Sequence, residues 1–149
     1  MKDSSRKLIL LVDDSQDDEL LTIDALRNGG ISSTIAVVRD GAEALDWFFG
    51  KGAHAQRDLN IMPDVVLLDL KLPKVSGLEV LIRMRADRRT KFIPTVVLSS
   101  STQSEDIINS YRNGANSYLR KAMDFEQFTG ALQCLGRYWL QYNQTPLPV

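Results

Sequence analysis

The sequence predicts an α/β domain built on a doubly wound sheet of five parallel strands. Apolar segments of strand length alternate with amphipathic segments of helix length, and the central apolar segments are nearly continuous in Leu, Ile and Val. Such continuous apolar strands are typical of parallel sheets that helices cover on both faces. Five strand-helix units in strict alternation imply right-handed crossovers within one sheet.

The predicted strands cover residues 8–12, 34–38, 65–68, 95–98 and 118–119. Helices are expected to follow side chains that accept a hydrogen bond from a free backbone N–H at the helix start. These are Ser15, Asp124 and the first members of two capping boxes, Ser76 with Glu79 and Thr102 with Glu105. The segment 50–62 is longer than a usual connection and is predicted to be a surface loop.

Length and composition favour one soluble domain. The chain has 149 residues, of which 44% are hydrophobic and 25% charged, as in globular proteins. A net charge of −1 argues against a nucleic-acid binder, and the run 8–12 is too short for a signal peptide or a membrane span. The single cysteine suits a cytoplasmic location. We expect one domain over 1–149, with a core of about 7–136 and a C-terminal extension of about 137–149.

Polar side chains stand at the carboxyl ends of the predicted strands, where α/β sheets bind ligands. Asp13 and Asp14 follow the first strand, Asp69 the third, Ser99 the fourth and Lys121 the fifth. Neighbouring strands lie about 5 Å apart, so these side chains can converge. Three such carboxylates repel one another unless a cation neutralises them, and Mg²⁺ suits oxygen ligands. A carboxylate can also attack phosphorus, so the site is suited to phosphoryl transfer.

Four short motifs follow one another along the chain: Leu-Val-Asp-Asp-Ser at 11–15, Leu-Leu-Asp-Leu-Lys-Leu-Pro at 67–73, Ser-Gly at 76–77 and Ser-Tyr-Leu-Arg-Lys at 117–121. Together they resemble the receiver domains (CheY-like) of two-component response regulators. The resemblance covers nearly the whole chain and implies a flavodoxin-like (βα)5 fold with strand order 2-1-3-4-5. The long loop before the third strand, the Asn-Ser-Tyr run at 116–118 and the aromatic tail resemble the Rcp-type regulators paired with bacterial phytochromes.

The resemblance implies that Asp69 is the phosphoacceptor. Asp13, Asp14, Asp69 and the backbone carbonyl of Lys71 would bind Mg²⁺ or Mn²⁺. The donor would be a sensor histidine kinase, with a bacteriophytochrome as the candidate, and the output would pass to an unidentified protein target. Neither nucleic acid nor membrane is expected as a partner. The protein would catalyse only its own phosphorylation and dephosphorylation.

The same resemblance assigns the phosphate-contacting and switch residues. Ser99, Ser100 and Lys121 would contact the phosphoryl group, and the Tyr118 ring would follow the Ser99 hydroxyl. Ser101 would tune dephosphorylation. Lys71 departs from the Rcp type, in which a polar uncharged residue is common at this position. Because it places a cation beside an anion-accepting site, our hypothesis is that Lys71 slows hydrolysis by pairing with the phosphoryl group or by obstructing the attacking water.

The last helix carries an apolar stripe with spacings of three and four residues. Its members are Phe125, Phe128, Leu132, Leu135, Trp139 and Tyr142. A helix of about 20 residues spans about 30 Å and overshoots a five-stranded sheet. Trp139, Leu140 and Tyr142 are therefore predicted to form a homodimer interface. The alternative is that the whole stripe packs within one chain.

Other functions remain open. Receivers usually have a proline, joined through a cis bond, after the conserved lysine, and Ala122 stands there instead. A degenerate receiver that acts as a constitutive interaction module is therefore one alternative. An aspartate-dependent phosphatase of the haloacid-dehalogenase type is another, although it needs an Asp at position 71. A flavin-binding module of the flavodoxin type would need a phosphate loop where Asp13 and Asp14 stand.

The remaining notable residues are predicted to have no chemical role. His54 is expected on the solvated surface, and Cys134 is expected to be a small buried apolar residue. Asp17, Asp18 and Glu19 are expected to favour the positive end of the first helix. The basic group is expected to form a solvated helix face that could meet an acidic partner. Its members are Arg83, Arg85, Arg88, Arg89 and Lys91.

Overall fold

A computed structural model describes residues 7–121 and 124–146, which form a five-stranded parallel sheet with helices on both faces. The strand order is β2-β1-β3-β4-β5, as predicted. The strands are β1 (Leu8–Val12), β2 (Thr34–Val38), β3 (Val65–Asp69), β4 (Thr95–Ser99) and β5 (Ser117–Arg120). β3 and β4 are each one residue longer than predicted because strand pairing continues through the polar residue at each carboxyl end.

Five helices alternate with the strands. They are α1 (Gln16–Asn28), α2 (Gly41–Phe49), α3 (Gly77–Ala86), α4 (Ser104–Arg112) and α5 (Phe125–Arg137). A 3-10 turn (Gly52–His54) follows α2, and a π-helical turn (Tyr138–Tyr142) follows α5. The described residues include no helix that is long and apolar enough to cross a membrane.

The predicted N-caps are confirmed for three helices. Ser15, Ser76 and Asp124 each accept a hydrogen bond from a backbone N–H in the first turn of α1, α3 and α5. The predicted capping box at Thr102 is wrong. α4 begins at Ser104 after Gln103, which makes no side-chain cap, because the Ser101 hydroxyl accepts the Gln103 N–H and bonds to the Asp106 carboxylate instead.

Alternate residues along the buried strands face opposite sides of the sheet, which divides the core in two. On one side the strands pack against α2 and α3, with Trp47, Phe48 and Met84 among the buried residues. On the other side they pack against α1 and α5, with Leu26 and Leu132 fully buried. This two-sided burial explains the continuous apolar strands of the sequence.

The C-terminal end differs from the prediction. Leu140 is 2% exposed and packs in the α1/α5 core, so its predicted place at a partner surface is wrong. A π-helical turn has more residues per turn than an α-helix, which rotates Leu140 toward the face of Leu132. Tyr142 is 69% exposed and Trp139 is half-buried. Cys134, predicted to be buried, is exposed on α5.

The segment 50–62 contains no regular element beyond the 3-10 turn, as expected, but its contacts are specific. The Arg57 guanidinium lies 3.6 Å from the centroid of the Trp47 ring and donates to the Trp47 and Ile61 carbonyls. His54 is half-buried, and its Nε2 lies 3.0 Å from Oε2 of Glu43. The prediction that His54 is a solvated surface residue is therefore wrong.

Candidate functional site

Strand register brings the predicted site residues to one edge of the sheet. Asp69 pairs with Leu98, and Ser99 pairs with Arg120. The backbone N–H of Lys121 donates to the Ser99 carbonyl at 2.8 Å. β1 ends at the same edge and is followed directly by the acidic pair. Parallel strands thus present their carboxyl ends together, which is where the sequence placed the site.

Three carboxylates form the centre of this edge. Asp13, Asp14 and Asp69 each offer one oxygen, and these oxygens lie within 4.8 Å of one another. Asp13 is buried, Asp14 is exposed and Asp69 is half-buried. Backbone N–H groups hold two of the carboxylates: that of Ser15 lies 2.9 Å from Asp13, and that of Lys71 lies 3.3 Å from Asp69. All three candidate ligand atoms are carboxylate oxygens, and such a donor set suits a hard divalent cation.

The Lys121 ammonium reaches into this cluster. Its Nζ lies 2.8 Å from Asp13 Oδ2, 2.9 Å from Asp18 Oδ2 and 3.3 Å from Asp69 Oδ2. The predicted approach of Lys121 to the two strand-end acids is therefore present. The bond between Lys121 and Ala122, where the usual cis proline is replaced, lies outside the described residues.

Burial and charge shift the pKa of both partners. Burial raises the pKa of the Asp69 carboxyl, the Lys121 charge opposes this rise, and the nearby Asp13 adds to it. Burial alone would lower the pKa of Lys121. The hydrogen bond to Asp13 and the charge of Asp69 outweigh it, so the pKa of Lys121 lies above its ordinary value. The site therefore holds a permanently charged ammonium beside Asp69.

Asp18 was missed as a site residue. The sequence assigned it only to the positive end of α1, whereas its carboxylate is a direct partner of Lys121. The available signal was its place in the first turn of α1, which begins two residues after Asp14. A carboxylate one helical turn beyond the strand end remains near that edge.

Gly77 forms the wall behind Asp69. A Cβ built at this position would lie 2.0 Å from the Asp69 carbonyl oxygen and 2.7 Å from the Leu70 Cα. The Gly77 N–H also donates to the Leu70 carbonyl at 2.8 Å. The Ser-Gly motif therefore has a steric reason: α3 starts directly against the backbone that carries Asp69.

The loop after β4 links Ser99 to Tyr118. The buried Ser99 hydroxyl accepts the Ser101 N–H at 3.1 Å, and the Tyr118 hydroxyl donates to the Ser101 carbonyl at 3.3 Å. The Ser101 side chain bonds to Asp106 at the start of α4. Ser100 is exposed. Ser101 therefore links Ser99 to Tyr118 of β5 through its backbone, while its side chain is directed at α4.

The fold and the strand-end site define a receiver domain. The family model of the response regulator receiver domain matches residues 9–133. The chain therefore belongs to this family, and the resemblance seen in its motifs is confirmed.

The chain is similar over nearly its whole length to individual regulatory proteins. The response regulator Rcp1 of Synechocystis sp. is 34% identical over 98% of this chain and 99% of its own length. The probable methanogenesis regulatory protein FilR2 of Methanothrix harundinacea is 38% identical over 95% of this chain and 88% of its own. The crystal structure of the phosphorylated cyanobacterial phytochrome response regulator RcpA is 36% identical with a TM-score of 0.86, covering 95% of this chain and 99% of that one.

Proposed function

We propose that this protein is a phosphoacceptor response regulator that takes a phosphoryl group from a sensor histidine kinase onto Asp69. The observation that carries the proposal is the convergence of three strand-end carboxylates with the Lys121 ammonium. In the transfer, an Asp69 oxygen attacks the phosphorus of a phosphohistidine. The O–P bond forms as the N–P bond breaks, and the bonding electron pair returns to the histidine nitrogen.

The proposed site includes a divalent ion, Mg²⁺ or Mn²⁺. Asp13, Asp14 and Asp69 would hold it, with the backbone carbonyl of Lys71 as a further ligand. An Mn²⁺-bound crystal structure of Rcp1, which is 33% identical with a TM-score of 0.85, supports a divalent ion at this position. When bound, the ion supplies positive charge that neutralises part of the negative charge on the phosphoryl oxygens.

The protein's own groups would complete the charge balance. The Lys121 ammonium, already 3.3 Å from Asp69, would pair with a phosphoryl oxygen. Because the Ser99 hydroxyl accepts the Ser101 N–H, its own proton is available for a second phosphoryl oxygen. Ser100, exposed at the same strand end, would offer a third contact.

The proposed signal is a change of surface. Movement of Ser99 toward the phosphoryl group would shift the loop after β4, whose Ser101 carbonyl now accepts a hydrogen bond from the Tyr118 hydroxyl. Tyr118 would then turn inward, and the surface formed by α4, β5 and α5 would present a second state to a protein target.

Two residues are proposed to set the lifetime of the acyl phosphate. The Lys71 side chain is exposed two residues after Asp69, where it would pair with the phosphoryl group or obstruct the attacking water. Lys71→Asn is therefore expected to shorten the decay time. Ser101, engaged with Asp106, would act through the position of α4.

The partners remain part of the proposal. The similarity to RcpA supports a bacteriophytochrome-type kinase as donor, within the cytoplasm. The exposed Tyr142 and half-buried Trp139 support a homodimer through the C-terminal end. Sedimentation that shows a monomeric wild type at high concentration would contradict the dimer. An unchanged dimer after Trp139→Ala with Tyr142→Ala would contradict this interface.

The deciding experiment is treatment with acetyl phosphate and Mg²⁺, with detection of the adduct by intact mass. Wild type is expected to gain one phosphoryl group, while Asp69→Asn and wild type in EDTA gain none. Lys71→Asn serves as a control that should still be modified. An unmodified wild type would favour the constitutive interaction module. Steady turnover of a phosphoester would favour the phosphatase. Lys71 argues against that function, because it occupies the position where such a phosphatase needs an Asp as general acid.

A further inference from the structure

A basic cleft lies at the edge of the sheet opposite the phosphoacceptor. α2 and α3 each start at the carboxyl edge and run back across the sheet, so their ends at Phe49 and Ala86 lie at the amino edge. A cleft of about 300 Å³ opens between these helix ends. It is lined by Phe49, Lys51, Arg83, Ala86, Asp87 and Arg89. Strands of five residues place it about 17 Å from Asp69.

The cleft concentrates positive charge in a chain whose net charge is −1. Its lining holds three cations and one carboxylate, and that carboxylate, Asp87, already pairs with Arg89 at 3.0 Å. Lys51 and Arg83 are exposed and form no ion pair with any residue in the ranges 7–121 and 124–146. Two cations are therefore free to bind an external anion.

One member of the predicted basic face is excluded from this role. Arg85 is half-buried and donates to the Gly114 carbonyl at 3.0 and 2.8 Å and to Asn116 Oδ1 at 3.1 Å. It fastens α3 to the loop before β5, so the prediction that it is solvated is wrong. The free charge of the cleft thus comes from Arg83 on α3 and from Lys51, which follows α2.

Aromatic rings accompany the cations. The Arg89 guanidinium lies 5.1 Å from the centroid of the half-buried Phe49 ring. Phe92, three residues after Arg89 in the chain, is 61% exposed, and Lys91 Nζ lies 4.9 Å from its centroid. Aromatic rings beside cations are typical of protein interfaces, which combine apolar anchors with charged rims.

We propose that this basic cleft binds an acidic segment of a partner protein that carries an apolar side chain among its carboxylates. Lys51 and Arg83 would pair with the carboxylates, and Phe49 would contact the apolar group. Nucleic acid is a poorer match because it requires an extended basic face, whereas these cations are gathered in one cleft that also holds Asp87.

A second copy of the chain is also a poorer occupant. The acidic cluster of Asp13, Asp14 and Asp69 lies at the carboxyl edge, so docking that cluster here would give a head-to-tail contact that propagates without closure. It would also cover the phosphoacceptor of the docked copy. A segment of a different protein leaves the Asp69 edge accessible, so this inference goes beyond the proposed function and does not depend on it.

The test uses the unphosphorylated full chain and a fluorescein-labelled pentapeptide of four glutamates around a central leucine. Fluorescence anisotropy is expected to show binding that weakens as NaCl rises from 0.05 to 0.5 M. Lys51→Glu with Arg83→Glu should weaken it about tenfold or more. Arg137→Glu, a single charge reversal on an exposed residue of α5 across the sheet, should leave it within about twofold.

Four results would overturn the proposal. They are an absence of binding to wild type, equal binding of a peptide with glutamines for glutamates, equal binding by the double variant, or tighter binding of oligo-dT than of the peptide. A sedimentation coefficient that rises with protein concentration in wild type, but not in the double variant, would also overturn the proposal. It would assign the cleft to a second copy of the chain. If circular dichroism shows that the charge reversals unfold the chain, Lys51→Gln with Arg83→Gln replaces them, with the same expected direction.

Discussion

Nζ of Lys121 lies 2.8 Å from Oδ2 of Asp13, and this contact joins the end of β5 to the end of β1 across two intervening strands. Both side chains are shielded from water, with 11% of Lys121 and 1% of Asp13 exposed. The ion pair closes the carboxyl edge of the sheet around Asp69. Removing either charge would leave the other buried without its partner.

Lys121→Met is expected to destabilise the metal-free protein by about 3 kcal/mol, because it leaves the buried Asp13 without its cation. Urea unfolding in EDTA measures the loss. Mg²⁺ should restore part of the stability by neutralising the same carboxylates. Lys71→Met, which removes an exposed lysine near the site, is the matched control. Equal midpoints for the two variants in EDTA would contradict the argument.

Asp69→Asn is expected to stabilise the metal-free protein at neutral pH. Burial raises the pKa of Asp69, so its contribution to stability is complete below the ordinary carboxyl pKa and is lost as pH rises through the raised value. Asparagine removes this dependence. Urea midpoints of wild type and variant, compared from pH 4 to pH 8 in EDTA, should therefore diverge as the pH rises. A difference that stays constant with pH would count against the pKa rise.

Gly77→Ala is expected to lower both stability and phosphorylation. Its Cβ would lie 2.0 Å from the Asp69 carbonyl oxygen, and a backbone neighbour cannot rotate away. Overpacking of this kind costs about 1–3 kcal/mol. Gly130→Ala on α5 has no heavy atom within 4 Å of its Cβ and should stabilise by about 0.5–1 kcal/mol. Urea unfolding and acetyl phosphate labelling test both, and a neutral Gly77→Ala would refute the steric argument.

Arg89→Ala is expected to raise the pKa of Asp87. Hydrogen bonds from Arg89 now hold that pKa at about 2. The stabilising effect of the pair is therefore complete above an ordinary pKa of about 4 and is lost as pH falls toward 2. NMR titration of the Asp87 carboxyl measures the change. Arg88→Ala, which removes only a neighbouring charge, should move it much less, and equal shifts would show that hydrogen bonding is not the cause.

The order of the elements and the edge that carries the site were predictable from the sequence. The apolar strands are buried on both faces, so their composition is set by local burial and is visible as runs along the chain. The caps at Ser15 and Asp124 are equally local, since each bond spans three residues. Where a side chain had a competing nearby partner, as at Ser101, the local prediction for α4 failed.

What only the tertiary structure decided is the set of contacts between residues far apart in the chain. Lys121 finds Asp18 across 103 positions, and Arg85 finds Gly114 across 29. Neither contact follows a spacing that recurs within one helix or strand, so the sequence pattern did not indicate it. Leu140 became buried through a change of helical phase that an α-helical period does not contain.

The sequence by itself therefore determined the fold class, the family and the acids that gather around Asp69. These depend on strand order and on residues at strand ends, which parallel pairing brings together whatever the details of packing. The structure decided how the Lys121 charge is shared and which basic side chains remain free. Both depend on which side chains lie close enough to pair, and those distances are fixed only when the chain has folded.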